Sequence, residues 1–380
     1  MHSLRSLRPA AGQMPVLLPV LLAALCALSV LSMLSAPGCT LAALPGDEVT
    51  SLGNGMLIVL NKSDDSATLL DALTGDRLME LPTGPAPHEV AVSPDGTTAV
   101  VANYGGQSSP NNTLTVIDLA KSRVTGTIGL GEHSRPHGIQ FTRDGRQVVV
   151  TAEGSGSVLL VDLPARRVLR AVPTGQAISH MVVLGPDGRL AYVTNIGSGS
   201  LSVLDVSGGR SVATIPTGAG AEGLDISPDG RELWVANRDA DTLSVIDTAR
   251  LEVVAELPCA GVPIRLKFTP DGGRVLVSNA AAGDVAVFDV AARRELARIP
   301  MGLTPIESTD GRLFARGGFT GSPVPVGLLV SRDGTRAWVA NTNADIITVL
   351  DLQKLEVAAR MKAGREPDGL GFTPVKPAGT

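Results

Sequence analysis

Three histidines of the chain occur at one repeated position. His88, His137 and His180 each stand seven residues before the Asp of a Ser-Pro-Asp-Gly-like motif. Imidazole nitrogens bind Zn²⁺ or Cu²⁺ at about 2.0–2.1 Å. The same position holds Glu222 and Asp368, and a carboxylate there is suited to act as a further ligand or a general base. These residues indicate a metal or ligand site, provided that the fold brings their positions together.

Other charged residues lie near this set, and Ile264 and Val326 take the same position in two further repeats. The predicted ligand-binding residues are His88, His133, Arg135, His137, His180, Glu222, Arg265 and Asp368, and the predicted metal ligands are His88, His137 and His180. The alternative interpretation is that the histidines are ordinary residues of the repeat, without a ligand.

The repeat itself runs along most of the chain. Its motif recurs with Asp at Asp95, Asp144, Asp187, Asp229, Asp271 and Asp333. Asn follows eight residues later in every copy except the second, which has Ala152. A second Asp ends an apolar run at Asp71, Asp118, Asp162, Asp205, Asp247, Asp289 and Asp351. Asp and Asn that occur once per unit indicate turn chemistry rather than catalysis.

Each unit of about 42 residues predicts four short strands. The Pro-Asp-Gly motif is typical of a tight hairpin turn between the first two strands, and the second Asp marks the turn before the fourth. A repeated four-stranded antiparallel sheet is the pattern of a β-propeller blade.

The two chain ends complete one blade together. Residues from 52 onward supply a second, third and fourth strand, and residues 368–374 supply an isolated first strand. We therefore predict an all-β, seven-bladed propeller over residues 52–380 that closes by pairing the N- and C-terminal strands. Because the first strand of each blade lines the central channel, the histidine position should form a ring at the channel mouth. Insertions at 104–112, 131–136 and 302–325 should border the same mouth.

The N-terminal region indicates export. Residues 1–39 combine arginines, a long apolar run and small residues, which is typical of a secretory signal peptide. An uncleaved membrane anchor and lipidation at Cys39 are alternatives. Residues 40–51 are interpreted as a linker. The expected location is periplasmic or at the cell surface, with membrane attachment only through this segment.

Composition excludes some classes of partner. The formal net charge is −5, so the chain lacks the basic character of a general nucleic-acid binder. Cys259 alone is certain to belong to the mature domain, so no internal disulfide framework is expected. Its predicted role is that of a buried thiol.

The repeats resemble the YVTN-type β-propeller family of exported bacterial proteins. The segment AYVTN covers residues 191–195, and LWVAN and AWVAN are variants of it. The resemblance implies an exported binding or scaffold protein. Propellers similar to this family include tetrapyrrole-binding domains of nitrite reductases, quinoprotein dehydrogenase chains and lactonases.

Three functions follow from these observations, in descending order of support. The first is an exported propeller that binds a protein, glycan or small-molecule ligand at its insertion-rich face. The second is a redox-linked propeller that binds Zn or Cu through the histidines, or a tetrapyrrole with Arg135, Arg265 and Arg316 near its carboxylates. The third is a lactonase-like hydrolase, for which the sequence contains no catalytic motif, so enzyme activity is the weaker expectation.

Overall fold

The computed structural model describes residues 55–106, 109–306, 312, 314 and 317–376. The described residues form seven antiparallel sheets of four strands each, which confirms the predicted seven-bladed propeller. We number the blades from the N-terminus. The predicted signal segment and linker lie outside the described residues. No helix within the described part of the chain is long and apolar enough to span a membrane.

The strands of each blade are given from the innermost outward. Blade 1 contains β28 (Pro367–Thr373), β1 (Met56–Asn61), β2 (Ser66–Asp71) and β3 (Arg77–Pro82). Blade 2 contains β4 (Pro87–Val92), β5 (Thr98–Gly105), β6 (Pro110–Asp118) and β7 (Arg123–Gly129). Blade 3 contains β8 (Pro136–Phe141), β9 (Gln147–Ala152), β10 (Ser157–Asp162) and β11 (Arg167–Pro173). Blade 4 contains β12 (Ser179–Leu184), β13 (Leu190–Asn195), β14 (Ser200–Asp205) and β15 (Arg210–Pro216).

The remaining blades follow the same order. Blade 5 contains β16 (Ala221–Ile226), β17 (Glu232–Asn237), β18 (Thr242–Asp247) and β19 (Glu252–Pro258). Blade 6 contains β20 (Pro263–Phe268), β21 (Arg274–Asn279), β22 (Asp284–Asp289) and β23 (Arg294–Pro300). Blade 7 contains β24 (Pro325–Val330), β25 (Arg336–Asn341), β26 (Ile346–Asp351) and β27 (Glu356–Lys362). Single 3₁₀ turns occupy Lys62–Asp64, Glu153–Ser155, Ile196–Ser198 and Gly317–Phe319.

The ring closes as predicted, through the two ends of the chain. Strand β28 pairs antiparallel with β1, with Leu57 opposite Phe372 and Val59 opposite Leu370. This pairing gives blade 1 its innermost strand and removes a free sheet edge at the join.

The repeated Asp residues stabilise turns, as the sequence predicts. In the first hairpin of blade 2, Asp95 accepts a hydrogen bond from the backbone N–H of Thr97 at 3.0 Å, and Gly96 adopts a φ of +74°. In the second, Asp118 accepts from the backbone N–H of Lys121 at 3.0 Å. Because each carboxylate accepts hydrogen bonds from its own turn, the repeated Asp residues have a structural role.

The repeated Asn residues join strands within a blade. The Asn195 side chain donates to Ser202 Oγ at 3.0 Å and accepts from Ser179 Oγ at 2.9 Å. Because Ser179 begins the innermost strand, this buried network fixes the start of the channel-lining strand against the strands behind it.

The hydrophobic core lies between neighbouring blades. Trp234 is fully buried and packs edge-on against Phe268 and Phe288, with ring centroids 6.0 and 6.2 Å apart. Cys259 is buried in the same cluster as a free thiol, as expected.

The insertion at 104–112 enlarges the connection between the second and third strands of blade 2. It lengthens the β5–β6 hairpin, in which Gly105 pairs with Pro110. Residues 107 and 108 lie outside the described part of the chain. The pairing satisfies backbone hydrogen-bonding groups of both extended strands.

Candidate functional site

The residues at the histidine position form one layer of the channel. Each is the second residue of the innermost strand of its blade: Asp368, His88, His137, His180, Glu222, Ile264 and Val326, in blades 1 to 7. The register is therefore the one expected from the spacing to the Pro-Asp-Gly turns. Most of these side chains are buried, so the layer is a packed polar network and not an open basin.

Aromatic rings occupy one side of this layer. The centroids of His137 and His180 lie 3.8 Å apart, those of His88 and His137 5.0 Å apart, and His88 stacks on Tyr104 at 4.4 Å. We use the name histidine cup for these four residues together with Glu153.

Glu153 connects the rings of the histidine cup. One of its carboxylate oxygens bonds Nδ1 of His180, and the other accepts a hydrogen bond from the Tyr104 hydroxyl at 2.7 Å. Burial alone would lower the pKa of His180, but the carboxylates of Glu153 and Glu222 outweigh it and raise that pKa to about 9. His180 is therefore a cation at neutral pH in this arrangement.

The other two histidines of the layer are neutral. Burial, reinforced by the nearby Lys62 ammonium, lowers the pKa of His88 to about 4. Burial and the neighbouring His180 and His88 lower the pKa of His137 well below its usual value. Nδ1 of His137 is buried and has no hydrogen-bond partner among the described residues. A buried nitrogen without a partner costs about 1–3 kcal/mol, which makes it a candidate ligand atom.

Glu222 continues the network toward blades 5 and 6. Its carboxylate contacts Arg238 at 2.7 Å and Arg265 at 3.0 Å, and lies 3.5 Å from Nε2 of His180. Burial alone would raise the pKa of Glu222, but these three cations hold it well below its usual range.

Arg265 follows the layer residue Ile264 along β20, and its side chain extends across the channel. Its guanidinium contacts Glu89 of blade 2 at 3.0 Å, although Arg265 itself belongs to blade 6. Burial opposes the charge, but Glu89 and Glu222 raise the pKa of Arg265. The pair closes the channel beneath the histidine cup.

Asp368 pairs within blade 1. Its Oδ2 lies 3.2 Å from Nζ of Lys62, and both side chains are buried. The Lys62 ammonium also lies 5.2 Å from the Phe314 ring centroid. Burial alone would raise the pKa of Asp368, but Lys62 and His88 lower it. Its Oδ1 has no hydrogen-bond partner among the described residues.

The two apolar members of the layer close its other side. Ile264 and Val326 pack in one cluster with Val324, against Phe314 and Phe319 from the long insertion. The polar members of the layer itself therefore belong to blades 1 to 5.

The remaining predicted residues lie beside the histidine cup. His133 bonds Ser155 at 2.9 Å near the surface, and the Arg135 guanidinium lies 5.0 Å above the Tyr104 ring. Arg316 is outside the described residues. Since Arg265 is committed to Glu89 and Glu222, it does not suit the expected contact with a tetrapyrrole carboxylate.

One group of described side chains has a spacing that could hold a metal ion, and it includes two of the three predicted ligands. The ligand atoms of His137, Glu153 and His180 lie within 4.8 Å of one another. His88 is not part of this group and instead directs Nδ1 toward the Ala86 carbonyl oxygen at 2.9 Å. Glu153 replaces it because a 3₁₀ turn carries its side chain from the end of β9 toward His180.

Sequence reasoning missed a second repeated position. This position directly follows the repeated Asn, or Ala152 in blade 3, near the end of the second strand from the channel. It holds Lys62 in blade 1, Tyr104 in blade 2, Glu153 in blade 3 and Arg238 in blade 5. The Asn has a structural role, whereas the residue after it differs from blade to blade. Comparison of that residue between blades would have found chemically diverse side chains at a position facing the same mouth.

The fold and this polar channel layer define a β-propeller with a candidate ligand site at its mouth. A family model described as "Lactonase, 7-bladed beta-propeller" matches residues 63–299. The match covers more than half of the chain, and the protein belongs to this family.

Solved structures show the same fold at low sequence identity. Hydrazine synthase of Kuenenia stuttgartiensis aligns with a TM-score of 0.63 and 21% identity, covering 76% of this chain and 90% of that one. A functionally unknown protein from Desulfotomaculum acetoxidans DSM 771 aligns with a TM-score of 0.69 and 13% identity, covering 84% and 98%. No curated protein matches the chain in sequence. These similarities establish the fold and leave the function to the site.

Proposed function

We propose that the protein is a metal-binding propeller whose histidine cup holds one divalent transition-metal ion through His137, Glu153 and His180. One observation carries the proposal: the ligand atoms of these residues lie within 4.8 Å of one another in a buried cluster. A closed site of this size suits an ion better than an organic molecule. Zn²⁺ and Cu²⁺ are the metals that two imidazoles and one carboxylate favour.

The surrounding residues support this use. Nδ1 of His137 and Nε2 of His180 are buried and make no hydrogen bond within the described part of the chain. His180 is a cation without the metal, so it would release a proton on binding the ion. The Tyr104 hydroxyl already orients Glu153 from behind, as outer partners of metal ligands commonly do. Ligand atoms around a tetrahedral zinc ion lie about 3.3 Å apart. Side-chain rotations would bring the three ligand atoms, now within 4.8 Å of one another, to that spacing.

Metal binding is tested by titrating the purified chain, stripped with a chelator, with Zn²⁺ and Cu²⁺ in a calorimeter. We expect one equivalent to bind, and His137→Ala, His180→Ala and Glu153→Gln to weaken binding at least tenfold. His133→Ala is the matched control, because His133 lies outside the cluster, and His88→Ala should also retain binding. Absence of stoichiometric binding, or equal affinity in all variants, would exclude the proposal.

Lactone hydrolysis is a second candidate, favoured by the family match. In that reaction, water adds to the lactone carbonyl carbon, the ring C–O bond breaks, and a hydroxy acid forms. The described residues supply a cation, His180, for the developing oxyanion, whereas the low pKa values of His88 and His137 make them weak bases.

A panel of five- and six-membered lactones, followed by acid release with and without added Zn²⁺, tests this activity. Hydrolysis that disappears in His180→Ala would support it. Lack of hydrolysis with every lactone would contradict lactonase activity and leave the metal proposal standing.

We also propose the export suggested by the sequence, with residues 1–39 as a signal or anchor, residues 40–51 as a linker, and membership of the YVTN-type subgroup. The layout of the apolar run supports export. Mass spectrometry of the protein recovered from a bacterial periplasm should show cleavage near Cys39. A full-length cytoplasmic product would contradict export.

A further inference from the structure

A cavity lies in the channel, at the end opposite to the histidine cup. Its volume is about 540 Å³, and the later residues of the innermost strands line it. Glu89 and Arg265 belong to its lining, so the pair that closes the channel beneath the histidine cup also ends this cavity. We call it the lower cavity. Its size lies in the range of small-molecule sites.

The walls of the lower cavity combine apolar and polar surface in similar amounts. Their apolar residues include Val90, Ile139, Val183, Leu266, Leu328 and Phe372. Charged groups within the walls are neutralised, since Asp225 pairs with Lys267 at 3.3 Å and Glu89 with Arg265 at 3.0 Å. An occupant therefore meets apolar side chains and paired polar groups along the walls.

Two arginines of the lining have no such partner. Arg143 follows β8 and Arg332 follows β24, and both are exposed. Neither guanidinium has an ion pair or hydrogen bond with the described residues. The neighbouring Asp144 and Asp333 are each held within their own turns by a hydroxyl at 2.6 Å. The rim of the lower cavity thus carries two guanidinium groups without an ion pair, each next in sequence to the carboxylate of its own turn.

These arginines replace a repeated proline. The other five blades have Pro94, Pro186, Pro228, Pro270 and Pro374 at this position. The prolines pack against the turn of the next blade: a Cβ placed on Gly230 would lie 2.2 Å from Pro186. A Cβ on Gly188, which follows Arg143 around the ring, would meet nothing within 4 Å. With arginine at position 143, the contact that proline makes with the next blade is absent.

The two replacements also stand far apart around the ring. Arg143 belongs to blade 3 and Arg332 to blade 7, with blades 1 and 2 between them on the shorter path. Both line the same cavity. An anion at its opening is therefore attracted from two sides.

We infer that the lower cavity binds a small amphipathic carboxylate, with its apolar body against the channel walls and its carboxylate at the rim with Arg143 and Arg332. Guanidinium groups bind carboxylates through charge-assisted, often bidentate hydrogen bonds. Burial of the apolar body supplies the remaining affinity. This site is independent of the metal proposed for the histidine cup.

The experiment is a calorimetric titration of the full chain with decanoate, below the concentration at which decanoate forms micelles. One molecule should bind per chain. The double variant Arg143→Pro with Arg332→Pro, which restores the repeated residue in both turns, should bind at least tenfold more weakly, as expected for loss of two charge-assisted contacts. Decanol, which lacks the charge, should lose affinity to a similar extent.

Two controls separate this site from other surfaces. Arg250→Ala removes an exposed arginine that does not line the cavity and should leave decanoate binding unchanged. His137→Ala should also leave it unchanged, whatever it does to metal binding. If the proline variant does not fold, as judged by circular dichroism, the Arg143→Gln and Arg332→Gln pair replaces it. Absence of decanoate binding, or equal affinity in the arginine variants, overturns the inference.

Discussion

At the scale of single residues, position alone does not decide the chemistry of the three channel histidines. They occupy equivalent places in consecutive blades, yet the pKa of His180 is raised to about 9 and that of His88 lowered to about 4. Burial lowers the pKa of both. The difference arises because carboxylates contact His180, whereas the Lys62 ammonium lies near His88.

The buried Lys62–Asp368 pair gives a residue-scale prediction. Lys62→Met leaves the Asp368 carboxylate buried without its cation, and we expect a loss of about 3–5 kcal/mol in the free energy of unfolding at neutral pH. Urea denaturation measures this. Lys121→Met, which removes an exposed partner of Asp118, is the control and should cost less than about 1 kcal/mol.

The pH dependence of that pair has a defined sign. Lys62 and His88 lower the pKa of Asp368 below 3.8 in the folded protein, so its ionisation stabilises the fold above that pH. This contribution disappears as the pH falls through the folded pKa. The difference between Lys62→Met and the parent should therefore shrink under acid, and a difference that stays constant would contradict the assignment.

Cys259 gives a second prediction at this scale. Burial raises the pKa of its thiol to about 12, and the side chain is inaccessible to solvent. Ellman's reagent should therefore leave Cys259 of the folded mature domain unmodified at pH 8, because the thiolate is the reacting species. The same protein in denaturant should react at once. Rapid reaction of the folded protein would show that the thiol is exposed.

At the scale of the strands, the repeated Asn holds the start of the innermost strand against the strands behind it. In blade 4, Asn195 bonds side chains from β12 and β14 in one buried network. Blade 3 has Ala152 instead, and the following Glu153 there turns toward the histidine cup.

Asn195→Ala should remove those bonds and leave Ser179 and Ser202 with fewer partners. The expected loss is about 1–3 kcal/mol in the free energy of unfolding, since the abandoned groups stay buried. Urea denaturation with Val253→Ala, on the exposed outer strand β19, provides the comparison. Equal stability of the two variants would mean that the Asn network contributes nothing.

At the scale of the whole molecule, closure depends on the last strand. Ending the chain at Glu366 removes β28, which supplies the innermost strand of blade 1 and the partner of Lys62. We expect a large fall in Tm and association through the exposed edge of β1. Thermal melting and size-exclusion chromatography measure both effects.

The control for closure is a chain that ends at Lys376, the last described residue. It retains the full β28–β1 pairing and should melt like the parent. A chain ending at Glu366 that melts at the same temperature as this control would show that the ring does not require the terminal pairing.

The sequence by itself determined the architecture and the register of the channel layer. Turn motifs recur at fixed intervals, and because strands alternate their faces, the distance from Asp95 to His88 places that histidine in the same layer as His137 and His180. The closure by residues 368–374 followed from counting strands. Each inference depended on local, repeated patterns.

Only the tertiary structure decided which residues meet across blades. Glu153 reaches His180 of the next blade, and Arg265 reaches Glu89 across the channel. The insertion at 104–112 became a longer hairpin, and Arg143 and Arg332 came to line one cavity. Such contacts join positions far apart in sequence, and their strength depends on burial and neighbouring charge, which a repeat pattern does not encode.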